Sequence, residues 1–263
     1  MDLNLEGRTA LISGSTKGIG FAAAVLLARE GARVILNGRS DAALAAASQA
    51  IASRVPGAKL DGFAGDLATA RGCAGIAARF PEVDILVNNV GVFERKAFEE
   101  IPDEDWQRLF ELNVMSGVRL SRAYLPGMRR RDWGRIVFVS SESALQVPDN
   151  MIHYAMTKGA QLTISRGLAE TCAGTGVTVN AVMPGPTLTD GNKAAIAKRA
   201  PGRPLAEVEK EFFEKVRPSS LLRRYAAPEE IAPLIAYLCS PLSSATNGAA
   251  LRADGGIIRA AIG

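Results

Sequence analysis

Much is scarce in this chain of 263 residues, and each scarcity narrows what it can be. It has one histidine, His153, and three cysteines, Cys73, Cys172 and Cys239, which are odd in number, far apart and in no metal-ligand spacing. They exclude a disulfide framework, leave no metal site to assign, and read as reduced core thiols of a cytoplasmic protein. No apolar run approaches the length of a membrane span. The opening stretch, MDLNLEGRTALISG, lacks a signal-peptide pattern and enters an apolar strand at once. Neither a Pro/Gly/Ser-rich linker nor a solenoid-period repeat is found, so a single domain over 1–263 is the simplest organisation. An excess of one charge is also missing: 31 Lys and Arg against 27 Asp and Glu leave +4, spread over a mixed surface. That is unlike the basic stripe of a nucleic-acid binder, and no helix-turn-helix pattern is present. Neither nucleic acid nor membrane is expected as a partner, and an anionic small molecule is the easier one.

What the chain does have is alternation. TALIS (9–13), RVILN (33–37), DILVN (84–88), RIVFVS (135–140) and VTVNAVM (177–183) read as buried strands. Segments 18–30, 41–54, 68–80, 104–131 and 154–174 read as helices between them. The expected fold is α/β, a doubly wound parallel sheet with helices on both faces. A charged, helix-prone insertion at about 190–217 interrupts the rhythm, placed beyond a strand's carboxyl end where a lid would sit.

The first strand leads into SGSTKGIG, residues 13–20. Gly14, Gly18 and Gly20 would let the backbone turn tightly and approach a pyrophosphate at a helix N-terminus, where unpaired N–H groups favour anions. The second strand ends in NGRS, with Arg39 and no carboxylate to grip ribose hydroxyls. Arg39 and Lys17 together favour a 2′-phosphate, hence NADP(H) over the alternative NAD(H). Further along, Tyr154 and Lys158 are four residues apart and would rise from one helix face. At about 5 Å and an effective dielectric of about 20, the ammonium would favour the phenolate by roughly 3 kcal/mol. That is on the order of two pKa units, enough to bring a phenol toward acid-base work.

Taken in order, SGSTKGIG, the NNVG at 88–91, Asn113, Ser141, the YAMTK that holds Tyr154 and Lys158, PGPTLT at 184–189 and the closing NGAALRADGG resemble the short-chain dehydrogenases/reductases. The resemblance implies a Rossmann-type fold of about seven strands and nicotinamide-dependent oxidation of alcohols or reduction of carbonyls. It makes Tyr154 the general acid/base, Lys158 its electrostatic partner and ribose contact, Ser141 a donor to the substrate oxygen, and Asn113 part of a proton path. The cofactor contacts it implies are Gly14, Ser15, Lys17, Gly18, Ile19, Gly20, Arg39, Asp66, Leu67, Asn89, Gly91, Tyr154, Lys158, Pro184, Gly185, Thr187 and Thr189. A small carbonyl or alcohol substrate and a homotetramer, or a dimer, are expected with it.

Two other readings stay open. A 3-oxoacyl-[acyl-carrier-protein] reductase would use Arg129, Arg130 and Arg131 with Lys193, Lys198, Arg199 and Arg203 to attract an acidic carrier, although Asp132 interrupts that cluster. A nucleotide-sensing regulator would keep the fold without turnover. His153 reads as structural or pocket-lining, and Glu142, Gln146 and Val147 as candidate walls of the substrate pocket.

Overall fold

The computed structural model describes residues 2–261. Its strands are β1 (Thr9–Ile12), β2 (Arg33–Gly38), β3 (Leu60–Ala64), β4 (Ile85–Asn88), β5 (Gly134–Val139), β6 (Val177–Pro184) and β7 (Ala250–Ala253). Its helices are α1 (Gly18–Arg29), α2 (Asp41–Arg54), α3 (Ala70–Arg79), α4 (Asp103–Phe110), α5 (Ser116–Arg130), α6 (Ile152–Glu170), α7 (Asp190–Arg199), α8 (Leu205–Glu211) and α9 (Pro228–Cys239).

Successive side chains leave a strand on opposite faces, and this alternation makes the layers. Ala10 and Ile12 join one buried cluster while Leu11 joins another. Val34 and Leu36 separate from Ile35 in the same way, and Val137 and Val139 from Ile136 and Phe138. Strands apolar on both faces need cover on both. Leu27, Ile51 and Ile235 of α1, α2 and α9 cover one; Ile76, Leu120 and Met128 of α3 and α5 cover the other. The seven strands are all parallel, in the order β3-β2-β1-β4-β5-β6-β7. From β1 the chain winds outward to β3, then returns to β4 and winds the other way. That reversal opens a crevice at the carboxyl ends of β1 and β4.

Two local features depart from the sequence expectation. β3 and β7 lie outside the apolar runs because both are sheet edges, and their residues are at most half-buried. The helix expected over 104–131 is interrupted by a π-helical turn, Glu111–Met115, between α4 and α5. The insertion forms α7, α8 and a second π turn, Phe212–Val216. It buries Ile196, Val208, Phe212 and Phe213 with Tyr225 in a small core of its own. Most of its charged side chains, among them Lys193, Lys198 and Arg203, are exposed, while Arg217 at its end is buried.

Candidate active site

A cleft of about 880 Å³ lies along the carboxyl ends of the strands. Its dinucleotide end is built by the turn between β1 and α1. Gly14 and Gly18 take φ of +63° and +59°, where a side chain would be strained. A Cβ on Gly14 would also come within 2.9 Å of Val90. Asn89 ties the turn down by donating through Nδ2 to the carbonyls of Ser13 and Gly14, both at 3.0 Å. Asn37 accepts from the Gly14 N–H at 3.0 Å. α2 and α3 are capped by the Ser40 and Thr69 hydroxyls, whereas α1 has no side-chain cap, so its first amides stay available to an anion. Lys17 and Arg39 stand exposed on the cleft wall, and neither has an acidic partner among the described residues. An open glycine cradle, free amides and two uncommitted cations fit a phosphorylated dinucleotide.

The catalytic candidates gather where β5, α6 and the π turn meet. Tyr154 and Lys158 share a face of α6, with the Lys158 Nζ 5.7 Å from the Tyr154 ring centroid. Lys158 donates to the Val139 carbonyl at 2.8 Å and to Gln161 Oε1 at 3.2 Å. Asn113 is buried in the π turn, with its side chain bonded to both the N–H and the carbonyl of Val92, each at 2.9 Å. Its Nδ2 reaches Thr157 Oγ1 at 3.0 Å, and its own carbonyl accepts from Gln161 at 2.6 Å. The side-chain bonds to Val92 and Thr157 explain an Asn where helix propensity disfavours it.

Ser141 follows β5 with extended backbone. Its hydroxyl donates to Glu142 Oε2 at 2.7 Å and accepts the Ser143 N–H at 3.1 Å. Glu142 is buried, bonded also by the Ser143 hydroxyl, and paired through Oε1 with the buried Arg217 guanidinium at 3.0 Å. A buried pair needs such a full set of partners to offset its desolvation. The insertion is thereby tied to the neighbour of Ser141.

Burial moves both key groups toward neutrality, and in this structure the ammonium does not acidify the phenol as the Coulomb argument expects. Desolvation pushes the Tyr154 phenol above its usual value near 10; the Ser141 hydroxyl tempers that shift and the Glu142 carboxylate adds to it. Desolvation likewise pushes the Lys158 ammonium down to about 7. A cation whose own charge is that costly is a weak anchor for a phenolate.

The structure brings Asn113, Ser141, Tyr154 and Lys158 together beside the cleft. Gly14, Lys17, Gly18, Ile19, Arg39, Asp66, Leu67, Asn89, Gly91, Pro184, Gly185, Thr187 and Thr189 line it. Two expected contacts do not. Ser15 is fully buried, its N–H spent on the Asn37 carbonyl and its hydroxyl on the Asn37 N–H, both at 2.9 Å. Gly20 faces inward, where a Cβ would lie 2.4 Å from the Asn89 amide. Both shape the turn and neither lines the cleft. The Thr189 hydroxyl caps α7, and Asp66 accepts the Ala68 N–H, so each also has a local duty. The basic cluster imagined for a carrier protein is not one patch. Arg131 reaches the Val83 carbonyl beneath the amino end of β4, whereas α7 and Arg199 lie beyond the carboxyl end of β6. His153 is fully buried edge-on to Trp106, with no polar partner among the described residues.

The comparison with known proteins agrees with this geometry. The family model described as enoyl-(acyl carrier protein) reductase matches residues 14–258. This chain belongs to the short-chain dehydrogenase/reductase family. It is 50% identical over 261 residues to the oxidoreductase YvaG of Bacillus subtilis, covering 98% of this chain and 99% of that protein. A 3-oxoacyl-[acyl-carrier-protein] reductase of Aquifex aeolicus is 31% identical, covering 98% and 100%. The structure of the L-sorbose reductase of Gluconobacter frateurii, complexed with NADPH and L-sorbose, superposes with a TM-score of 0.90 at 32% identity, covering 99% and 100%. The protein is therefore an oxidoreductase.

As a short-chain dehydrogenase/reductase it has cleft residues that the sequence reading missed. Thr16, Asn37, Phe93, Arg95, Arg217 and Tyr225 all line the cleft. Gln161 was within reach of reasoning, since it lies three residues beyond Lys158 on one helix face. Arg217 gave no signal, because its partner is 75 positions away.

Proposed function

We propose that this protein is an NADPH-preferring oxidoreductase that interconverts a carbonyl and a secondary alcohol on a small molecule, with Tyr154 as general acid/base. The observation that carries it is the meeting of Tyr154, Ser141, Lys158 and Asn113 at one end of a cleft whose other end is an open glycine cradle. A bound nicotinamide would supply or accept the hydride. The chain's own groups then manage charge on the substrate oxygen. The Tyr154 and Ser141 hydroxyls stand where that charge develops, and donors placed there favour the transition state over the ground state. Ser141 turns its proton from Glu142 to reach it. Lys158 and the Gln161–Asn113 chain hold the Tyr154 side of the cleft in register. The segment 190–217 serves as the lid of a single domain, and the active form is a homotetramer.

Tyr154→Phe tests the reading. We expect turnover to fall at least about 1,000-fold, the upper part of the range for a lost general acid/base, while calorimetric NADPH affinity changes less than about 3-fold. Retained turnover would refute the role. Arg39→Ala is expected to weaken NADPH by roughly 10- to 100-fold, the loss of one charge-assisted contact, and NADH hardly at all; equal losses for both would remove the 2′-phosphate assignment. The carrier-protein reductase is the second reading, favoured by the Aquifex relative. Turnover of a carrier-linked 3-oxoacyl chain well above that of small ketones would select it. Nucleotide binding with no turnover across a broad carbonyl and alcohol panel would instead point to a regulator.

A further inference from the structure

Beyond Tyr154 and Ser141, the substrate end of the cleft gathers more positive charge than it neutralises. Arg95 comes from the segment after β4, Arg199 from the last turn of α7, and Arg217 and Tyr225 from the chain after α8. Arg217 is committed: it is sealed from solvent and paired with Glu142 at 3.0 Å. Arg95 and Arg199 are not. Both are exposed on the cleft wall, and among the described residues neither has a carboxylate partner; a long 3.5 Å approach of Arg95 to Asn150 Oδ1 is its polar contact.

The charges of these arginines bear on one another. Partial desolvation, then the charges of Arg199 and Arg217, hold the Arg95 guanidinium below its ordinary value. The Tyr225 ring is fixed by stacking on Phe212 at 5.3 Å and by the edge of Phe213 at 5.3 Å. Its phenol is within the influence of both Arg199 and Arg95. Two guanidiniums and a rigid phenol converge here and make a donor set for an oxyanion, while the nearby carboxylates are spent elsewhere, Glu209 on the Tyr225 N–H at 2.7 Å and Glu142 on Arg217. These cations are also separate from the pair suited to the cofactor, since Lys17 and Arg39 follow β1 and β2 on the other side of the switch point.

We propose that Arg95, Arg199 and Tyr225 form a carboxylate subsite, so that the substrate is an oxo acid or hydroxy acid whose reacting carbon sits at Tyr154 and Ser141. The planar fork of a guanidinium matches a carboxylate with two parallel bonds, and fixing that end of a small molecule orients the other for reaction. The proposal rests on the oxidoreductase reading above and names the substrate class for the same site.

The test compares, on the full-length enzyme with NADPH, short-chain oxo acids, their methyl esters and phosphate monoesters of matched length. The wild type should prefer the acid to its ester, and Arg95→Met and Arg199→Met should each cut that preference roughly 10- to 100-fold, chiefly through KM. Calorimetry gives a second readout: succinate should bind the wild type saturably and not the double variant, with NADPH affinity the same in both. An ester used as well as its acid, or a preference untouched by both variants, overturns the subsite. Tighter use of phosphate monoesters than of acids reassigns it to phosphate. Absence of turnover for every compound overturns the NADPH-dependent carbonyl–alcohol reading alone if succinate still binds through the two arginines. Without succinate binding the subsite falls as well.

Discussion

Lys158 sits where a positive charge is hard to keep. The helix spacing predicted its partnership with Tyr154, and the structure places them on one face, but desolvation dominates both groups. In the unfolded chain the lysine holds its proton up to about 10.5, and in the folded protein only up to about 7. Between those values the unfolded chain binds more protons, so stability rises with pH, by at most about 1.4 kcal/mol per pH unit from this group. The melting temperature of the cofactor-free protein should therefore climb from pH 7 to pH 9, and Lys158→Met should flatten the climb. Parallel slopes in the two proteins would show that the ammonium is better solvated than its surroundings imply.

At the scale of elements, the π turn at Glu111–Met115 couples three parts of the site: the Val92 segment, α6 and the end of α4. Asn113→Ala would strip partners from the Val92 N–H and carbonyl and from Thr157. With about 1–3 kcal/mol for a buried group left unsatisfied, and less for the part-buried Val92 groups that water can reach, a loss of about 3 kcal/mol is expected. Chemical denaturation should show the loss, and faster hydrogen exchange at the Val92 amide should localise it; unchanged exchange there would place the cost elsewhere. The central strands, the glycine turn, α6 and the insertion were legible in the sequence because each has a local signature. β3 and β7 were not, since an edge strand needs no continuous apolar run. The π turn left only an Asn out of place in a helical pattern. Glu142 was visible as a pocket candidate, whereas its role with Ser141 depended on Arg217, far along the chain, and no local pattern reports such a pair.

At the scale of the whole molecule, the sheet reversal between β1 and β4 sets the glycine turn and the Ser141–Tyr154 end of the cleft along the carboxyl ends of the strands. Several large apolar side chains remain outside the two cores, with Leu221 83%, Phe98 60% and Leu145 53% exposed. A homotetramer gives such residues a place to be covered. Sedimentation equilibrium should then report four chains, and the melting temperature should rise with protein concentration. A monomer at micromolar concentration would refute that assembly. Among the described residues no helix is long and apolar enough to cross a membrane.

The ion pair between Glu142 and Arg217 has a bearing on how such a protein can diversify. The groups proposed to handle protons lie at the end of β5 and on α6, while much of the proposed recognition wall is carried on one contiguous stretch after β6. That division makes the stretch a natural cassette for recombination with kindred enzymes, a route to new specificities that leaves the chemistry alone. The seam, however, does not fall at the cassette's ends. A donor segment lacking the arginine would strand a carboxylate beside Ser141, so a productive exchange has to carry position 142 along with it.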